Sequence, residues 1–175
     1  ADKNALLLTS KCNFIASFHV RSAIGFFAMI DQFDRAILAI LQKNNSTPLR
    51  EISAKVNLSA PAVQRRIKRL EEDGTICANT AVLDPAHIGR PITIIAEVEL
   101  ISETAELIDA AKKGFSDIPE VQQCYYVTGE ADFVLVITVA SMADYEALTR
   151  RLFLGNTNVR RFRTSVALDR VKAKL

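Results

Sequence analysis

Between Ser59 and Gly74 the chain carries a helix whose two ends are both written into the sequence. Ser59 is a residue type that accepts a bond from the first free amides of a helix. Pro61 falls in the first turn, where a missing N–H costs nothing, and Gly74 supplies the left-handed residue on which helices often end. At about 100° per residue, Val63, Ile67 and Leu70 fall on one narrow apolar stripe. Arg65, Lys68 and Arg69 lie opposite, with Pro61 and Ala62, and Arg66 lies on the flank. Such a helix can bury one side only, so its basic side must face water or a partner.

The flanking residues narrow the choice. In DQFDRAILAILQKN, Ile37, Leu38 and Leu41 recur at helical spacing, with Ile30 and Phe33 one turn earlier, and Asp34 is placed to cap this helix or open its first turn. Asn44 to Pro48 is turn chemistry. LREISAKV follows with Leu49, Ile52 and Val56 on one face, and Asn57-Leu58 is a short turn. After Gly74, TICANTAVLD (75–84) reads as two short strands about Ala78-Asn79, closed by a turn at Asp84-Pro85. Three helices, a short turn between the second and third, and a hairpin make a winged helix-turn-helix, expected over residues 30–90. On that frame the third helix enters a major groove of double-stranded DNA by its N-terminal, small-residue end. The expected DNA-facing set is Ser59, Ala60, Pro61, Ala62, Gln64, Arg65, Lys68 and Arg69. Arg65 is assigned to base edges, because arginine is the commonest base reader. Lys68 and Arg69 are assigned to phosphates. A basic helix face by itself is more often solvated; here the turn before it and the hairpin after it decide.

From Pro91 onward the periodicity changes to β-α-β-β-α-β. PITIIAEVEL (91–100) reads as a strand, ETAELIDAAKKGF (103–115) as an amphipathic helix with Leu107, Ile108 and Ala111 inward, and VQQCYYVTG (121–129) and DFVLVITVA (132–140) as strands joined at Gly129-Glu130-Ala131. MADYEALTRRLF (142–153) is a second helix and VRRFRTSVALDRVK (159–172) a final strand. This order is that of a ferredoxin-like fold, so the chain as a whole is expected to be α+β, with the second domain at 91–175. Two helices on one face of a sheet leave the other bare, and apolar residues there call for a second subunit. Tyr125 and Tyr126 are read as packing residues on opposite faces of a strand. Of the open alternatives for Arg160, Arg161 and Arg163, a solvated edge ranks ahead of a subunit salt bridge or a DNA contact. Residues 1–29 form an atypical extension. Its apolar run, broken by His19, Arg21 and serines, is too interrupted for a membrane span. It is read as a non-native or mis-started leader, the alternative being an arm packed on another subunit.

Charge and reactive residues exclude other classes. Net charge is +2, but four cations fall within Arg65–Arg69, and local clustering rather than the total makes a phosphate-binding surface. Residues 91–175, by contrast, have ten Lys/Arg against twelve Asp/Glu. Cys12, Cys77 and Cys124 are far apart and odd in number, which suits free thiols used as small apolar residues in a reducing cytoplasm. The two histidines, His19 and His87, have no partner at metal-ligand spacing, and no nucleophile, phosphate-loop or dinucleotide motif is present. An enzyme is therefore not expected, nor a metal or cofactor. An RNA-binding sheet would carry an exposed aromatic pattern, which DFVLVITVA lacks.

The pattern IDQFDRAILAILQKN…REISAKVNLSAPAVQRRIKRLEEDGTI…AVLDPAHIG, with VQQCYYVTGEADFVLVITVASMADYEAL and RTSVALDRVK, resembles the Lrp/AsnC (feast/famine) regulators over about residues 30–173. The resemblance implies a sequence-specific transcriptional regulator. It implies homodimers formed through face-to-face sheets that assemble further, an octamer being one such assembly. It also implies an amino acid or related metabolite bound between dimers. The family's glycine-x-x-aspartate turn matches Gly129 and Asp132, with Thr128 beside it. Thr164, in RTSV, matches a segment near the same pocket. Taken as residues alone, Gly129 and Asp132 are also ordinary choices for a hairpin turn.

Overall fold

A computed structural model describes residues 29–172 of the chain. The first part of it is three helices: α1 (Gln32–Lys43), α2 (Leu49–Val56) and α3 (Ala60–Glu72). Asp31, rather than Asp34, caps α1. Its carboxylate accepts the Asp34 amide at 2.8 Å while the Asp34 carboxylate accepts the Asp31 amide at 3.1 Å, a reciprocal capping box. Asn57 closes α2 in the left-handed region, φ +57°, a conformation asparagine tolerates, and so turns the chain sharply into Ser59. Ile37, Ile52 and Val63 are fully buried, with Val56 nearly so, and together form the small core on which Ile40, Leu41, Leu49, Leu58 and Ile67 pack.

The wing differs from the expectation. Residues 75–91 contain no strand, and Val82 and Leu83 are exposed. A tight two-residue hairpin needs positive φ at its turn. Among the described residues Asn57 alone, outside glycine, adopts it, and Asn79 instead bonds its side chain to Glu71 at 3.1 Å. Residues 75–84 are therefore a connection without strands rather than a hairpin.

The second compact unit begins at Leu83, ahead of the boundary read at Pro91. Its loop is already tied down: Arg90 donates its amide to the Pro85 carbonyl at 2.7 Å and its guanidinium to the Pro119 carbonyl at 2.9 Å. The elements are β1 (Ile92–Leu100), α4 (Ala105–Ser116), β2 (Val121–Tyr126), β3 (Phe133–Val139), α5 (Met142–Thr149), continuing as a π-helical turn at Arg150–Leu154, and β4 (Val159–Val166). The sheet order is β2-β3-β1-β4, with every neighbouring pair antiparallel. The alternation of β1 sends Ile94, Ala96, Val98 and Leu100 inward. They meet Phe133, Leu135, Ile137 and Val139 of β3 and the helix residues Ala111, Phe115, Tyr145, Leu148, Leu152 and Phe153. Leu107, expected inward, is 38% exposed. The buried stripe of α4 runs instead through Ala111 and Phe115, with Ile108 half-buried beside them.

Tyr126 meets Phe133 at 5.2 Å on the helix side and Tyr125 lies on the other face, and both rings remain exposed, at 49% and 47%. That other face is mixed rather than apolar: Ile95 and Tyr125 share it with Glu97, Glu99, Arg161 and Arg163. Of the 1–29 extension, residues 1–28 lie outside the described residues. No helix among the described residues is long and apolar enough to cross a membrane.

Candidate DNA-binding surface and effector turn

Ser59 caps α3 by accepting the Ala62 amide at 3.4 Å, and Val63 and Leu70 are fully buried beneath it. The first turn thus stands clear of the core. Ser59, Pro61, Gln64, Arg65 and Lys68 are exposed, and Ala60 and Ala62 are half-buried. Gln64 and Arg65 have no hydrogen-bond partner among the described residues, and Lys68 meets only Glu72, at 3.6 Å.

Arg69, placed with the phosphate contacts on angular grounds, is turned back into the domain. Its Nη2 lies 2.5 Å from Asp34 Oδ2. Arg66 joins it, with Nη1 at 2.8 Å from Asp34 Oδ1 and 2.7 Å from Asp31 Oδ2. The Arg66 guanidinium also lies over the Phe33 ring at 5.5 Å. The Asp34 amide, with help from Arg66, holds the Asp31 carboxyl below the usual carboxylate range. The bonds to Asp34 and then Asp31 hold the Arg66 guanidinium more firmly charged than usual.

In the second unit the β2–β3 connection is a short loop. Val127 donates to the Asp132 carbonyl at 2.9 Å, and Asp132 donates to the Val98 carbonyl at 2.9 Å. The Asp132 carboxylate accepts the Leu100 amide at 2.6 Å, so one of its oxygens anchors the loop to β1. Gly129 has φ +130° and open space where a Cβ would stand; the backbone angle, not crowding, is what asks for glycine there. Thr128 and Gly129 are exposed beside it.

Thr164 does not join this loop. Its hydroxyl bonds Tyr145 Oη at 2.7 Å, against α5 on the helix side. Its neighbour Arg163 is what β4 sends to the loop, reaching Glu130 at 3.0 Å and Glu97 at 3.9 Å. Glu99 takes Arg160 at 3.1 Å and Arg161 at 2.8 Å. Burial alone would raise the Glu99 carboxyl, but the bonds from Arg161 and Arg160 bring it below its ordinary value. The arginine run of β4 is thus a solvent-exposed edge, as expected, whose side chains also pair with acids of β1 and of the β2–β3 loop. Glu97, Glu99, Glu130, Ala131, Arg161 and Arg163 line a small recess there. Of these, Glu97 and Glu99 are not singled out by the sequence reading, although acids at two-residue spacing on β1 and arginines at the same spacing on β4 are a same-face signal that alternation can find.

Burial pushes the Cys124 thiol up to about 11, which suits an inert half-buried residue. Cys77 is exposed rather than interior. Among the described residues no cluster of His, Cys, Asp and Glu fits a metal ion.

Comparison with known proteins bears on both regions. Residues 30–71 match the AsnC-type helix-turn-helix domain and residues 93–174 the Lrp/AsnC ligand binding domain. The chain is 44% identical over 144 residues to a helix-turn-helix-type transcriptional regulator of Sinorhizobium fredii, covering 82% of this chain and 85% of that one. Its fold is similar to the crystal structure of an AsnC family transcriptional regulator from Agrobacterium tumefaciens (TM-score 0.76, 30% identity, 82% of this chain and 94% of that one). It is equally similar to a Neisseria meningitidis transcriptional regulator crystallised with L-methionine (TM-score 0.76, 27% identity, 82% and 93%).

Proposed function

Because this chain belongs to the Lrp/AsnC family of transcriptional regulators, we propose that it binds double-stranded DNA sequence-specifically through the outward face of α3. On the same reading, an amino acid or related metabolite at the 127–132 loop sets its oligomeric state or its DNA affinity. One observation carries the DNA-binding half: the capped, small-residue first turn of α3 leads into Gln64, Arg65 and Lys68, all exposed and charged or polar. Ser59, Ala60, Pro61 and Ala62 let the backbone approach a groove. Arg65 then reads base edges and Lys68 meets phosphate.

The test is duplex binding measured against salt concentration. Affinity should fall with a log–log slope of about −0.9 for each phosphate neutralised, and should favour a duplex selected from a random pool over an unselected one. Binding that ignores salt, or that prefers single-stranded RNA, would refute this.

The effector half rests on the loop and on the ligand-binding family to which 93–174 belong. The exposed Thr128-Gly129 backbone offers amides to a carboxylate, and the second Asp132 oxygen, without a partner among the described residues, suits an ammonium. An amino acid presents both groups, and the Neisseria neighbour's L-methionine complex points to the same class. Assembly is proposed through the open sheet face. There Glu97 and Glu99 stand beside Arg161 and Arg163, an arrangement that a two-fold axis can make self-complementary. A homodimer formed this way places its loops where further dimers meet, an octamer being one closed product. A ligand at that junction acts on DNA affinity only through its preference between assembly states.

Asp132→Asn separates the two roles of that residue, since asparagine still accepts the Leu100 amide but carries no charge. In a thermal-shift screen the wild type should gain stability from at least one amino acid, by about 2.7 kcal/mol at a hundredfold excess over Kd. The variant should melt at the wild-type temperature and lose that gain, with no ligand-dependent change in oligomer mass. An undiminished response would place the effector elsewhere.

A further inference from the structure

Helix α3 carries four cations within five residues, Arg65, Arg66, Lys68 and Arg69, yet two of them converge on one carboxylate of another helix. Asp34 is completely buried, with its side chain 0% exposed, and both of its oxygens are taken by guanidinium groups: Oδ1 by Arg66 at 2.8 Å and Oδ2 by Arg69 at 2.5 Å. Arg66 has its second carboxylate in Asp31 and the face of Phe33 beneath it. Arg69 is bound through Nη2 to Asp34, its side chain 42% exposed and its Nε buried without a partner of its own. A buried carboxylate is tolerated only when its charge is met, and breaking either pair to reach a phosphate would leave one Asp34 oxygen without its guanidinium.

We propose that Asp34 is a positioning residue for DNA binding. It keeps Arg66 and Arg69 off the phosphates and fixes the rotation of α3 on α1, leaving Gln64, Arg65 and Lys68 as the side chains that meet the duplex. This rests on the DNA-binding reading above and deepens it. The helix displays four cations, but its electrostatic footprint on DNA counts two. Non-specific attraction is held down, and a larger share of the binding energy depends on the side chain that reads bases. The capping box ties the same carboxylate to the first turn of α1, so the clamp is anchored at a helix end and cannot rotate freely.

The salt slope counts phosphate contacts and is therefore the readout, because a purely structural role would change affinity without changing the count. Wild type, Lys68→Gln, Arg69→Gln and Asp34→Asn are each titrated onto a duplex selected from a random pool by the wild type and onto an unselected duplex. Lys68→Gln should make the slope shallower by about 0.9. Arg69→Gln should keep the wild-type slope while weakening binding to the selected duplex. Asp34→Asn frees both arginines, so its slope should steepen and its preference for the selected duplex should narrow. If Asp34→Asn does not fold, the contrast between Lys68→Gln and Arg69→Gln decides the point. A slope loss in Arg69→Gln equal to that in Lys68→Gln makes Arg69 a phosphate contact and overturns the proposal, as does a folded Asp34→Asn with the wild-type slope and preference. If the wild type binds neither duplex, the DNA-binding reading fails and this role goes with it. A wild type that binds normally while Arg69→Gln loses slope refutes the positioning role alone.

Discussion

Phe115→Ala is expected to destabilise the sheet-containing unit by about 3–5 kcal/mol, the range for removing a fully buried phenyl ring. Phe115 is 1% exposed and stands at the centre of an aromatic group, edge-on to Phe133 at 5.3 Å and to Phe153 at 6.3 Å. It therefore joins α4 to β3 and to the π-helical turn after α5. Calorimetry gives a selective readout. The three-helix core of Ile37, Ile52, Val56 and Val63 shares no residue with the core around Phe115. The transition of residues 83–172 should fall by more than about 10 °C, and isolated duplex-binding measurements below that temperature should be little changed. A loss under 1 kcal/mol, or an equal fall in both units, would contradict the packing described.

Arg65→Ala should weaken binding to a selected duplex by about 1–3 kcal/mol, roughly five- to 150-fold, and should relax the base preference at one or two positions. The expectation follows from what surrounds the residue. Arg66 and Arg69 are bound to Asp34, so Arg65 is the arginine of α3 with no acceptor among the described residues. It lies opposite the buried Val63 and Leu70, one turn into the helix from the Ser59 cap. On an unselected duplex the loss should be small, because a base-reading side chain contributes little where no base is matched. An equal loss on both duplexes would reassign Arg65 to phosphate.

Much of this was legible before any coordinates. Ser59, Pro61 and Gly74 mark the bounds of α3, and the alternation of Ile94, Ala96, Val98 and Leu100 marks the buried face of β1. Capping and periodicity are local, and they act on residues a few positions apart. The order of strands and helices after Pro91 allows few topologies, because antiparallel neighbours and short connections prune the rest. The Lrp/AsnC resemblance added the family and its ligand-binding domain, and both agree with the matched domains.

Some of the expectations that changed are local and others concern partners distant along the chain. The wing strands needed a turn with positive φ and a surface to pack on, and residues 75–84 have neither. Thr164 and Arg163 are adjacent in sequence, but the pleat of β4 sends one to Tyr145 and the other to Glu130. Arg69 looked outward because a helical projection shows the faces of one helix and nothing of what packs beside it. Asp34 is 35 residues away, and burying its charge made an arginine from α3 obligatory. The sequence alone therefore determined where α3 begins and ends and which stripe it buries, since those depend on neighbours within a turn. Which of its cations are drawn into ion pairs with α1 was decided only by the tertiary structure, where a buried carboxylate has to be neutralised by whatever charge the packing brings to it.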